Sequence, residues 1–320
     1  MKELTIYDRR LASAKRQKLG LAVFLLLIAT SVLAQSPRGV NVPKPRDILV
    51  SADWLAKHRT DTNVVILHVA SERAEYDAGH IPGAVFLPLS DVVVTRNGVL
   101  NELPDDADLQ RAFERAGAGD GKRVIVYATG DHAPVLATRV WFSLDYLGHG
   151  DQAALLDGGL ERWKASGNEV SAAPGEAKPA TLTIHPRREL VVNTARMRAL
   201  SAQAASGNSE FVLLDSRPED EFSGATAGED VPRAGHIPGA TSLYWPHLLE
   251  ENGELLPPHD LREALEKHGI TPDKKVVNYC RTGMQASFDY FVLRYLGYDA
   301  SLYDGSFMEW SKAEGTRVEK

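Results

Sequence analysis

Seven consecutive residues occur twice in this chain. Ala78-Gly79-His80-Ile81-Pro82-Gly83-Ala84 returns as Ala234-Gly235-His236-Ile237-Pro238-Gly239-Ala240, 156 positions later. Five further blocks match in the same order. Val64–Val69 pairs with Phe211–Asp215, and the Ser71-Glu72-Arg73 that follows pairs with Ser216-Arg217-Pro218. Val124-Ile125-Val126-Tyr127 pairs with Val276-Val277-Asn278-Tyr279. Leu144-Asp145-Tyr146-Leu147-Gly148 pairs with Leu293-Arg294-Tyr295-Leu296-Gly297. Asp157-Gly158-Gly159 with Trp163 pairs with Asp304-Gly305-Ser306 with Trp310. Repeated order at slowly drifting offsets means a duplicated domain. A length of 320 residues accommodates two domains of ordinary size.

Within each copy, short apolar strands alternate with helical stretches. Leu261–Lys267 reads as a helix stopped by His268-Gly269 and Pro272, and strand Val276–Tyr279 follows. A further helix runs from about Ala286 to Leu296. Continuous apolar strands separated by helices predict an α/β fold, each copy a parallel sheet flanked by helices. The expected division is a leader at 1–34, a linker at 35–47, a first domain at 48–171, a linker at 172–182 and a second domain at 183–320. Each copy is large enough for its own core.

The leader carries Lys15, Arg16 and Lys18 before an apolar run of 16 residues, Leu19–Ala34. A stable membrane span needs about 20. Val32, Leu33 and Ala34 offer the small-residue pattern of a cleavage site, so a signal peptide is expected, with an uncleaved anchor as the alternative. Either places the body outside the cytoplasm, periplasmic or secreted. Of 36 basic and 43 acidic residues, the leader holds six and two. The body is therefore acidic and lacks the cationic footprint of a nucleic-acid binder. The chain has one cysteine, Cys280, which excludes an intrachain disulfide and a cysteine-cluster metal site.

Cys280 stands just past a strand, in the loop Cys280-Arg281-Thr282-Gly283-Met284-Gln285 that leads into a helix. Ligands of open α/β sheets bind off the carboxyl ends of strands, where loop amides and a helix dipole favour negative charge. These surroundings are expected to lower the thiol pKa, with Arg281 adding fixed positive charge and Gly283 permitting a tight cradle. A buried structural cysteine is the bland alternative. A phosphatase loop would need an arginine six positions after the cysteine, and that position holds Ala286.

The tandem copies with Gly-His-Ile-Pro-Gly-Ala, and the single cysteine in a six-residue loop of the second, resemble the rhodanese family of two-domain sulfurtransferases across about residues 48–317. The resemblance implies a thiosulfate sulfurtransferase, or a 3-mercaptopyruvate sulfurtransferase, with a silent first copy. Ala128-Thr129-Gly130-Asp131-His132 fits that silence, because it is three residues longer than its counterpart and lacks cysteine. The implied catalytic residue is Cys280, carrying a persulfide. The implied donor-binding residues are Arg217, Arg281, Thr282, Gly283, Met284 and Gln285. Arg217 has an alternative as a helix-start ion pair with Glu219 or Asp220. Arg281 matches thiosulfate-preferring loops, whereas Thr282 stands where such loops often carry lysine. No metal and no organic cofactor is expected. The partners would be a small anionic sulfur donor and a small thiophilic acceptor, and the chain is expected to be a monomer. A non-enzymatic binding or sulfur-carrier module is the reading from another class.

Other features receive structural readings. His80 and His236 occur in both copies and are expected to be architectural. Gly117–Lys122 is a turn, because it precedes a strand and lacks the Ser/Thr of a phosphate loop. Trp141, Trp163 and Trp310 are expected in cores, Asp157 and Asp304 in strand-exit turns, and Asp131 and His132 on a surface loop. Arg233 is expected to be a solvated arginine, with a donor-facing one as the alternative. His132, His149, His247, His259 and His268 show no metal-ligand spacing.

Overall fold

The computed structural model describes residues 43–130, 132–207 and 210–320. The expected leader, the first part of the linker and Asp131 lie outside them. The first half runs β1 (Leu49–Val50), α1 (Ala52–His58), β2 (Val64–Ala70), α2 (Arg73–Asp77), β3 (Val85–Pro88), a hairpin of β4 (Val94–Arg96) and β5 (Val99–Glu102), α3 (Asp106–Arg115), β6 (Arg123–Ala128), α4 (Ala133–Tyr146), β7 (Ala153–Leu156) and α5 (Gly159–Ala165). The second half runs β8 (Val191–Val192), α6 (Thr194–Ala205), β9 (Phe211–Asp215), α7 (Glu219–Phe222), β10 (Ala240–Ser242), α8 (Pro258–Lys267), β11 (Lys275–Tyr279), α9 (Met284–Tyr295), β12 (Asp299–Tyr303) and α10 (Ser306–Lys312).

Each half forms a five-stranded sheet, all parallel, in the orders β1-β7-β6-β2-β3 and β8-β12-β11-β9-β10. The two orders are the same order, as a duplication requires. The central strands are buried on both faces, which explains why they read as unbroken apolar runs. Trp141, Trp163 and Trp310 are core residues, as expected.

The repeated heptapeptide is scaffolding in both halves. The Ile81 amide donates to the Tyr127 hydroxyl at 2.9 Å, and the Ile237 amide donates to Tyr279 at 3.2 Å. His80 bonds the Tyr76 carbonyl through Nδ1 and stacks on the Tyr76 ring at 3.7 Å; His236 does the same with Phe222 at 3.9 Å. The motif thus ties the turns after α2 and α7 to the central strands β6 and β11. Residues 172–182 run without regular structure along the first half, where the Gly175 amide meets Tyr76 Oη and the Ala180 amide meets the Glu114 carbonyl.

Helices α4 and α9 are apolar on nearly every face and buried accordingly. They pack on each other. Thr138 and Ser287, equivalent residues of the two halves, meet hydroxyl to hydroxyl at 3.1 Å. The equivalent residues Asp145 and Arg294 pair at 3.3 Å. Contact between repeat-related residues places a local two-fold axis between the helices. Asp145, nearly fully buried, also accepts from the Tyr290 hydroxyl at 2.7 Å and from Arg187 at 2.9 Å. Replacing Asp145 by Ala strands these donors in the interface and is expected to cost about 3–5 kcal/mol, read as a lower urea midpoint. A loss below about 1 kcal/mol would show that the pairs are idle.

Candidate active site

Cys280 follows β11 directly, and α9 is capped by Gly283, whose φ of +82° only glycine adopts readily. A Cβ on Gly283 would lie 2.9 Å from the Asp304 carbonyl oxygen, so the residue is required twice over. The turn after β12 clamps the loop from below. Phe307 donates to the Cys280 carbonyl at 2.9 Å, Met308 donates to the Arg281 carbonyl at 3.0 Å, and Ser306 Oγ accepts the Cys280 amide at 3.3 Å.

The backbone amides of Ala286, Thr282 and Gly283 lie around the Cys280 sulfur and favour its charged form. Thr282 and Gly283 belong to the expected loop, and Ala286 lies one residue past its end. The expected fall in pKa is corrected. Cys280 is only 1 % exposed, and burial outweighs the amides, pushing the thiol above its ordinary value. Asp215 adds to the push. Desolvation wins because three dipoles compensate a sealed charge only in part.

Among the expected donor-binding residues, Thr282, Gly283 and Met284 line the buried loop, while Arg281 and Gln285 are half-buried beside it. Arg281 approaches Gly228 and faces the Glu221 carboxyl. Arg217 requires a correction. Its guanidinium is fully buried, holding Asp215 with contacts of 2.9 and 2.6 Å, bonding the Gly235 carbonyl at 2.8 Å and lying 4.0 Å over the Phe307 ring. The partner is neither Glu219 nor Asp220 but Asp215, two residues upstream at the end of β9. Glu221 is 3.7 Å away. Arg217 therefore acts on Cys280 through Asp215, whose charge it offsets. Arg233 is also corrected: it is half-buried rather than freely solvated, and its guanidinium is spent on the Trp310 and Ser311 carbonyls in the last turn of α10 and on the Thr316 carbonyl beyond it.

The first half completes the site. Arg139, inside α4, donates to Asp304 Oδ1 at 2.7 Å and to the Asn101 carbonyl at 2.6 Å. Asp304 Oδ2 accepts the Leu103 amide at 2.7 Å. Asn101 Nδ2 donates to Thr282 Oγ1 at 3.1 Å. Asp304 is thus a strand-exit residue, as expected, and also the anchor of a hairpin from the other half. Sequence reasoning missed Arg139, Asn101 and the hairpin. The signals were present: one arginine inside an apolar helix, and Asn97-Gly98, which builds a tight hairpin turn. Asn252-Gly253 is its unnoticed repeat partner. His132 is exposed, as expected for a surface loop. His259, Asp260 and Glu263 cluster on the exposed face of α8.

The family model for the rhodanese-like domain matches residues 51–166 and again 198–313. The sulfur carrier protein TtuD of Thermus thermophilus is 31% identical over 282 residues, covering 86% of this chain and 97% of that protein. A Pseudomonas aeruginosa protein provisionally named 3-mercaptopyruvate sulfurtransferase is 33% identical over 276 residues, covering 82% of this chain and 94% of its own. An anaerobic ergothioneine-biosynthesis enzyme from Chlorobium limicola superposes with a TM-score of 0.76 at 23% identity, over 85% of this chain and 70% of that one. At that identity the likeness speaks to the fold alone.

Two outcomes are expected. Alkylation of Cys280 by iodoacetamide should keep accelerating beyond pH 9, because only the thiolate reacts; a plateau below pH 8 would contradict a raised pKa. Gly283→Ala should cost about 1–3 kcal/mol of stability through left-handed strain and also slow alkylation at fixed pH. Unchanged behaviour in both would remove Gly283 from the cradle.

Proposed function

The chain belongs to the rhodanese family of sulfurtransferases, and on that footing we propose that it moves sulfane sulfur from thiosulfate to a thiophilic acceptor through a persulfide on Cys280. The observation carrying this reading is the convergence of three backbone amides on the one cysteine, at the carboxyl end of a parallel strand. The thiolate attacks the outer sulfur of thiosulfate, a new S–S bond forms, and the old one breaks as sulfite departs with its electron pair. The amides of Thr282, Gly283 and Ala286 then hold the persulfide's charge as an oxyanion hole holds oxygen. Cyanide, or a thiol, takes the terminal sulfur and returns Cys280 to the thiolate.

The elevated thiol pKa gives the neighbouring charges a specific task. Arg217 offsets Asp215, and Arg281 brings positive charge to the loop from its half-buried seat. Arg281 also supports an anionic donor and favours thiosulfate over mercaptopyruvate. The Thermus relative's name, a sulfur carrier protein, favours a second reading in which the chain is a sulfur-carrier module rather than a thiosulfate-turning enzyme. We place the activity outside the cytoplasm on the character of residues 1–34, to be tested by cell fractionation.

Cys280→Ser is expected to abolish thiocyanate formation from thiosulfate and cyanide without changing the circular dichroism spectrum. Retained turnover would refute the mechanism. For the wild-type chain, kcat/KM for thiosulfate should exceed that for 3-mercaptopyruvate, and the reverse ratio would transfer the assignment to the second donor. Inertness toward both would favour the carrier reading.

A further inference from the structure

The first half keeps a cavity where the second half keeps its catalytic loop. It has a volume of about 360 Å³ and lies at the carboxyl ends of β6 and β7, against the starts of α4 and α5. That volume falls within the range of small-molecule sites. The Leu249–Leu255 hairpin of the second half closes one side, pinned by the Leu255 amide to Asp157 Oδ1 at 2.9 Å and by Arg162 to Glu254 at 2.9 Å. The hairpin β4–β5 makes the corresponding contact with Asp304 at the catalytic loop. The cavity is therefore a built counterpart of the active-site cleft rather than a packing gap.

Its chemistry is the opposite of the catalytic cradle. Leu49, Leu155, Leu249, Leu255 and Phe288 give it apolar walls. Asp157, Glu161 and Glu251 supply carboxylates, and among the described residues none lining it is Lys or Arg. Thr129, also on the wall, donates its hydroxyl to Glu75 at 3.0 Å, which brings a fourth carboxylate close. Pro134 at the start of α4 removes an amide that could otherwise have greeted an anion. Arg162, at the edge, is committed to Glu254.

We propose that this cavity binds a small organic cation: an apolar body seated on the leucines and Phe288, with an ammonium group directed to Asp157. The cavity's carboxylates repel anionic sulfur donors, so it does not serve as a second donor site. Burial pushes the Asp157 carboxyl up to about 6, with Glu254 and Glu250 adding to the effect, and a cation beside it relieves that penalty. Occupancy is independent of the sulfur donor proposed for Cys280, because no residue of the cavity belongs to the cradle.

The test uses the full chain and three near-isosteric probes, 2-phenylethylamine, 2-phenylethanol and phenylacetate, titrated by calorimetry at pH 7.5. The amine is expected to bind about tenfold tighter than the alcohol, the worth of one charge-assisted hydrogen bond, and phenylacetate is expected not to bind. Asp157→Asn keeps an oxygen for the Leu255 amide, and it should erase the preference for the amine while leaving thiocyanate formation unchanged. Ala133→Phe should fill the cavity and weaken amine and alcohol alike. No binding by any probe, phenylacetate binding as tightly as the amine, or an undiminished preference in Asp157→Asn would each overturn the proposal.

Discussion

The carboxylate of Asp304 is the point at which the two halves become one machine. It leaves β12 in the second half, takes the Arg139 guanidinium from α4 and the Leu103 amide from the hairpin of the first, and stands against Gly283. A charge pair this deep is costly to desolvate, so its value lies less in net stability than in fixing one arrangement. What it fixes is the floor of the loop carrying Cys280. If that floor shifted, the three amides would lose their common focus, because they belong to the same few residues of backbone.

The thiol itself illustrates two competing effects. A strand end, a helix start and convergent amides all favour the thiolate, and each is present. Burial nonetheless decides the direction, because a nearly sealed sulfur forfeits the hydration that an exposed one would keep. The Asp215–Arg217 pair then has a clear purpose. Left alone, Asp215 would oppose ionisation of Cys280 further, and the buried guanidinium moderates its field.

Much of the fold was legible because the chain states it twice. β9 begins and ends where its apolar run does, and the turn to a helix after Tyr279 needed only the strand and the glycine to be seen. The side-chain assignments that failed share one cause: they depend on which way a long cation turns after the backbone is set. Arg217 and Arg233 both sit in loops, and both fold inward, Arg217 onto Asp215 two residues upstream and Arg233 onto carbonyls at and just past the end of α10, more than seventy residues away. The thiol pKa failed differently, since dipoles can be read from a loop but the solvent excluded by other segments cannot. The hairpins were missed although Asn97-Gly98 and Asn252-Gly253 announced them, because their strands are short and half polar.

The local two-fold axis between α4 and α9 makes the covalent chain equivalent to an isologous dimer whose subunits have been joined end to end. In a true homodimer every substitution appears on both sides of the axis, so a cleft could not be altered without altering its twin. Fusion removes that restriction. One cleft carries the cysteine while the other lacks it and is lined by Asp157, Glu161 and Glu251, and the shared helices preserve the mutual bracing that either cleft needs. Divergence of function within an intact architecture is what this geometry permits.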